Sequence, residues 1–234
     1  MAQWDRVLAV ARQTLTLTDD AGRGDLWLWE HSERVVRLAQ AFAKLPEFGR
    51  ARVDGDALAA ACLYHDAGWA AQFRQGRFDR WQVLSRPTND VQRELAAGLM
   101  QEQCGHLLPP DAVRRAAQAI RECNDRNSAL PEAQLLAEAE NLDEIGTLYV
   151  LRQFRQYQAE GRPLEQLITS WARQKEYNYW EARVNDLLRT ESARQLARQR
   201  LASVDQFIQA LARDHAGSDA AALVSSSAAP VAAR

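Results

Sequence analysis

Between Pro163 and Gly217 the chain contains neither a proline nor a glycine, and a stretch that long without a helix breaker, rich in Leu, Ala, Arg, Gln and Glu, has long helices as its natural structure. Elsewhere Pro and Gly gather in short joints, and no run alternates β-branched residues with polar ones in the strand pattern. The fold class read from these features is all-α.

The joints set the expected elements. A first helix runs from Trp4 to about Leu15, and Asp19, Asp20, Gly22 and Gly24 mark a turn within 16–24. A second starts near Asp25 and ends before Pro46. A third runs from Asp54 or Asp56 to Ala67, with Gly68 in the left-handed position that closes a helix. Residues 69–86 read as an irregular loop. Helices follow from Asn89 or Asp90 to about Gly105 and from Pro109–Pro110 to about Asn124. A long one opens at Pro131 and reaches about Gln158, and two more lie beyond Pro163. From Ala216 the composition turns to Ala, Ser, Gly and Val without periodicity, so 1–215 is expected as one domain and 216–234 as a disordered tail.

Charge and cysteine content restrict function. The 234-residue chain carries 29 Lys plus Arg against 31 Asp plus Glu, which gives no electrostatic reason to expect nucleic-acid or membrane partners. Cys62, Cys104 and Cys123 are odd in number and contain no CxxC pair, the pattern of reduced thiols in a cytoplasmic protein. The N-terminal Met-Ala-Gln-Trp-Asp-Arg has no signal-peptide pattern, and no run approaches the ~18 apolar residues of a membrane span.

Chemistry concentrates on three segments. Residues Ala57 to Tyr64 are apolar on every side, the mark of a central buried helix, yet they run directly into His65 and Asp66. Burying imidazole and carboxylate together needs compensation, and a divalent cation supplies it. On the second helix His31 shares a stripe with Val35, Leu38 and Phe42 and so faces inward. A single inward histidine is most often structural. Two on neighbouring helices, one followed by aspartate, look like part of a metal site. The third segment, 136–146, is rich in acids, with Glu140, Asp143 and Glu144 on one face. A solvated face with arginine partners is the expectation for Glu138 and Glu144. Arg34, three residues after His31, is the candidate for holding a phosphate. His106 and His215 read as surface residues, and Trp69 and Trp81 as the mouth of a pocket.

In this order the segments resemble the HD-domain superfamily of metal-dependent phosphohydrolases, over roughly 25–150. The matching stretches are Trp-Glu-His-Ser-Glu-Arg-Val around His31, Tyr-His-Asp-Ala-Gly around His65 and Asp66, and Glu138-Ala-Glu140-Asn-Leu-Asp143-Glu-Ile-Gly. Residues 190–200 look like the closing helix of small bacterial members. The resemblance implies a helical bundle with additional C-terminal helices. It also implies one divalent ion (Mn, Fe, Co, Ni, Zn or Mg) held by His31, His65, Asp66 and Glu140, with Asp143 as the alternative last ligand. Glu140 stands where the family usually has aspartate, and Trp69 where many members have lysine and some nucleotide-cleaving members glutamate. No histidine ends the helix at Ile120–Asp125 to hold a second metal.

The function expected is hydrolysis of a phosphoester, of a nucleotide or another small phosphorylated metabolite, with Asp66 also orienting the attacking water or taking its proton. The alternative is a non-catalytic HD-like protein that binds a ligand or uses a degenerate site for structure. An oxygenase on the same scaffold ranks last, because it needs a second metal.

Overall fold

The computed structural model describes residues 3–220. Among these, the only sheet is a two-residue antiparallel pairing of Leu17–Thr18 with Gly24–Asp25. The remaining regular structure is helical: α1 (Gln3–Leu15), α2 (Trp27–Phe42), α3 (Gly55–Tyr64), α4 (Ala67–Arg74), α5 (Asp90–Cys104), α6 (Pro110–Glu122), α7 (Pro131–Asp143), α8 (Thr147–Glu160), α9 (Leu164–Glu176), α10 (Tyr179–Leu187) and α11 (Glu191–Ala216), with a 3-10 turn at Pro46–Phe48. Of the expected tail, 221–234 lie outside the described residues.

Helix α3 is the axis of the bundle. Every residue from Ala57 to Tyr64 is buried, and the helix packs against α2, α5, α6 and α7. Its start is fixed by Asp54, whose carboxylate accepts from Ala57 N at 2.9 Å, and Asp54 N in turn donates to the buried Glu132 on α7 at 2.6 Å. Helices α8–α11 pack among themselves, and α11 also reaches α7.

Three expectations are corrected. The chain does not stop at Gly68 and enter a loop: it turns tightly at His65–Asp66 and starts α4, so residues 67–74 are helical. Gly68 has no positive φ. It is required for a different reason, since a Cβ there would lie 2.1 Å from Gln92 O on α5. The long helix from Pro131 is two helices, because Gly146, at φ +123° and ψ −167°, adopts a backbone essentially confined to glycine and ends the run. Arg200 of α11 covers that break, donating to Leu142 O at 2.7 Å and so satisfying a terminal carbonyl of α7. Among the described residues beyond Pro163 there are three helices rather than two. Asn178, in the left-handed region at φ +51°, separates α9 from α10 without a Gly or Pro.

Glu138 is also corrected, from a solvated acid to a fully buried one. Its carboxyl group accepts from Arg189 N (2.8 Å), Thr190 N (2.9 Å) and Thr190 Oγ1 (2.7 Å), tying α7 to the start of α11. Glu138→Ala leaves three donors, two of them buried, without this acceptor and is expected to cost about 3 kcal/mol. Glu138→Gln, which keeps a carbonyl acceptor, should cost clearly less. Urea unfolding of both variants measures the difference, and equal losses would contradict this role.

Candidate metal centre

The joint between α3 and α4 delivers His65 and Asp66 to one point, and α2, packed alongside, brings His31 to the same point. All three are buried, at 0%, 2% and 1% exposure. His31 Nε2 and His65 Nε2 are 3.1 Å apart, and Asp66 Oδ2 lies 3.2 Å from the first and 3.4 Å from the second. Among the described residues these are the group whose ligand atoms all fall within 4.8 Å of one another.

Each member is fixed from behind. His65 Nδ1 is 2.8 Å from Cys62 O, which can only accept, so Nδ1 carries the proton and Nε2 presents its lone pair to the cluster. His31 Nδ1 is 2.7 Å from Asp143 Oδ2, and the same logic turns its Nε2 lone pair inward when the ring is neutral. The other oxygen of Asp66 accepts from Thr88 Oγ1 at 2.5 Å, and Thr88 Oγ1 accepts from Trp69 Nε1 at 2.9 Å. Asp143 is itself gripped by Arg34, with Nε at 2.8 Å and Nη2 at 3.1 Å.

Two lone pairs and a carboxylate oxygen at such separations repel unless a positive charge lies among them. A proton is one answer. Burial by itself lowers the His31 imidazole, but Asp143 and Asp66 together outweigh it and raise it to about 9. Burial likewise opposes ionisation of Asp66, and His65 and His31 overcome it, holding the carboxyl well below its ordinary range. Asp143 is held low against burial by His31 and Arg34. A divalent cation is the other answer. Bonds of about 2.0–2.1 Å place neighbouring ligand atoms about 2.9–3.4 Å apart in tetrahedral or octahedral coordination, and the three observed spacings fall in that range. The donor set fits the ion that the sequence implies.

Glu140 does not join the cluster. Arg93 Nη2 holds both its oxygens, at 3.0 and 3.1 Å, and also reaches Asn124 Oδ1 at 3.0 Å. Arg93 is almost wholly buried. Burial works against its charge, and Glu140 more than restores it. Trp69 is fully buried behind Asp66 rather than at a pocket mouth, while Trp81 is 41% exposed. His106 and His215 lie on the surface, and Glu144 pairs with Arg152 and Arg183.

Two residues of the site escaped the sequence reading. Thr88 sits in a segment without periodicity, so nothing marks it. Arg93 does carry a signal, since it interrupts the buried stripe of Ala96, Ala97 and Met100 on α5. Thr88→Val should weaken divalent-metal affinity about 10–100-fold, the usual effect of losing a partner that orients a ligand. Calorimetry on matched metal-free samples checks it, and unchanged affinity would show that Asp66 is positioned without Thr88.

The HD domain family model matches residues 28–145. Among solved structures, the chain is similar to a predicted HD superfamily hydrolase from an uncultured Thermotogales bacterium (21% identity, TM-score 0.51, covering 91% of this chain and 93% of that one). It is also similar to Bacillus subtilis YpgQ in complex with ADP (20% identity, TM-score 0.57, 91% and 94% covered), and to the Lin1889 protein of Listeria innocua (17% identity, TM-score 0.54, 92% and 97% covered). A comparison with curated proteins found no match.

Proposed function

The chain belongs to the HD domain family, and from that premise we propose that it is a metal-dependent phosphohydrolase acting on a nucleotide or another small phosphorylated metabolite. The observation that carries this reading is the convergence of His31 Nε2, His65 Nε2 and Asp66 Oδ2 within 3.4 Å, each held by a partner on its far side.

A divalent cation held by these three side chains supplies Lewis-acid polarisation of a phosphoryl oxygen and a lowered pKa for water. The protein's own part is positional. The carbonyl of Cys62 and the carboxylate of Asp143 fix the two imidazole tautomers. Thr88 fixes the plane of the Asp66 carboxylate, which in our reading also orients the attacking water or takes its proton at Oδ2. Arg34 spends Nε and Nη2 on Asp143, and we assign its remaining amine to the substrate phosphate. Glu140, the expected fourth ligand, has both oxygens engaged by Arg93. Asp143, the sequence alternative, bonds the opposite ring nitrogen of His31, which suits orientation better than ligation.

The pairing of Glu140 with Arg93 favours a second reading, a non-catalytic HD-like protein whose site binds a ligand or stabilises the bundle. Metal content of the purified protein, followed by a phosphoester panel with Mn²⁺, Co²⁺ and Mg²⁺, separates the two. Nucleotides come first in the panel because the similar Bacillus subtilis YpgQ forms a complex with ADP. Metal-dependent turnover supports the hydrolase, bound metal with no turnover supports the second reading, and absence of metal binding rejects the proposed ion site.

A further inference from the structure

We propose that the cleft between the connector 84–87 and helices α8–α10 is a binding site for the phosphate group of a small ligand. The cleft is about 170 Å³ and is lined by three arginines, Arg86, Arg152 and Arg183, against one carboxylate, Glu144. A local net charge of +2 therefore stands out on a chain whose formal net charge is −2.

The two inner arginines are held rather than free to swing into solvent. Arg152 is 13% exposed and donates to Glu144 at 3.0 Å, and Arg183 is 21% exposed and bonds the same Glu144 and the hydroxyl of Tyr179. Glu144, with Asp143 Oδ2 a further 4.0 Å from Arg152 Nη2, thus compensates two largely desolvated guanidinium groups. The remaining positive charge is met by an additional anion, for which arginine's fork is the best-matched side chain. Tyr149 contributes no competing charge, because burial pushes its phenol up to about 12.

The rest of the wall supports a bound ligand. Trp180 packs edge-on against Tyr149 at 4.7 Å and against Tyr179 at 5.2 Å, giving the arginines a stiff aromatic flank. Leu84, which lines the cleft and is 4% exposed, holds φ +62°, a conformation that costs a branched residue on the order of 1–2 kcal/mol and that gathers at ligand clamps. The cleft also adjoins the metal centre: Arg152 Nη2 is 4.0 Å from Asp143 Oδ2, the atom that bonds His31. Its charge and geometry do not depend on the metal, so the proposal stands or falls separately from the hydrolase reading.

Two sources share this ligand chemistry: the far end of a substrate held at the metal centre, and a separate phosphorylated metabolite. The test is calorimetric titration of the full chain with pyrophosphate in the presence of chelator. Saturable 1:1 binding is expected, weakened on the order of ten-fold or more in Arg183→Gln and tightened in Glu144→Gln, which removes the opposing charge. Circular dichroism checks that each variant is folded, and Arg86→Gln, at an exposed position, carries the same test with a smaller loss should Arg183→Gln fail to fold. For any phosphoester the protein turns over, a raised KM in these variants marks the substrate's far end as the occupant, and an unchanged KM with lost pyrophosphate binding marks a separate ligand. No saturable binding by the wild type, or an affinity indifferent to both Arg→Gln changes, overturns the proposal.

Discussion

Replacing Asp66 with alanine is expected to abolish divalent-metal binding, and with it any phosphoester turnover, while the far-ultraviolet helical spectrum persists. Asp66 contributes the only carboxylate oxygen among the three converging ligand atoms. Without it two neutral imidazoles face each other with no anionic partner for a cation. Loss of a partner that merely orients a ligand costs about 10–100-fold in affinity, so loss of the ligand itself should exceed about 100-fold. The bundle should survive, because α3 is held by apolar contacts along Ala57–Tyr64 and capped at its other end by Asp54. Thr88 Oγ1 loses its acceptor but keeps its bond from Trp69, and His31 Nε2 and His65 Nε2 lose the Asp66 carboxylate but keep their 3.1 Å contact with each other. Calorimetry, turnover and circular dichroism on one preparation check all three parts. Full turnover in Asp66→Ala would reject the catalytic reading.

The second large effect comes from one methyl group. Gly68→Ala places a Cβ 2.1 Å from Gln92 O, 2.7 Å from Gln92 C and 2.8 Å from Gln92 Cα. These are backbone atoms of a capped helix, so no side chain can swing aside and α4 must lift off α5. The displacement reaches the metal centre from both directions: Gly68 is two residues from Asp66, and Gln92 forms the capping box with Asn89, next to Thr88. A loss of about 3 kcal/mol or more is expected, which for a chain of this size lowers Tm by roughly 6–12 °C, together with weakened metal binding. Gly98→Ala is the control. Gly98 lies inside α5 with nothing within 4 Å of an added Cβ, so alanine there should raise stability by roughly 0.5–1 kcal/mol. Equal melting temperatures for the two variants would contradict the close approach of α4 and α5.

The contrast between Gly68 and Gly146 shows what was legible in the sequence. Both are glycines near acidic or apolar helix ends, and local rules assign the first a left-handed cap and pass over the second. The structure reverses this, because Gly68 answers to a helix 24 residues away and Gly146 to its own backbone and Arg200. Local signals did locate the starts of α5, α6 and α7, where Asn89, Pro110 and Pro131 act within one turn. They also marked His31, His65 and Asp66, since an imidazole or carboxylate on an otherwise apolar surface is visible without knowing what lies opposite. Partners were not visible. That Glu140 meets Arg93 while Glu138 holds Thr190, the cap of α11, depends on which helices pack against which face of α7, and both acids look alike in Glu-Ala-Glu.

The central claim is that His31, His65 and Asp66 form one ion site, and anomalous diffraction from crystals grown with Mn²⁺ tests it most directly. The predicted result is a single strong peak within about 2.0–2.3 Å of His31 Nε2, His65 Nε2 and Asp66 Oδ2. A peak bonded to other residues, or no peak with the two Nε2 atoms still 3.1 Å apart, would contradict it.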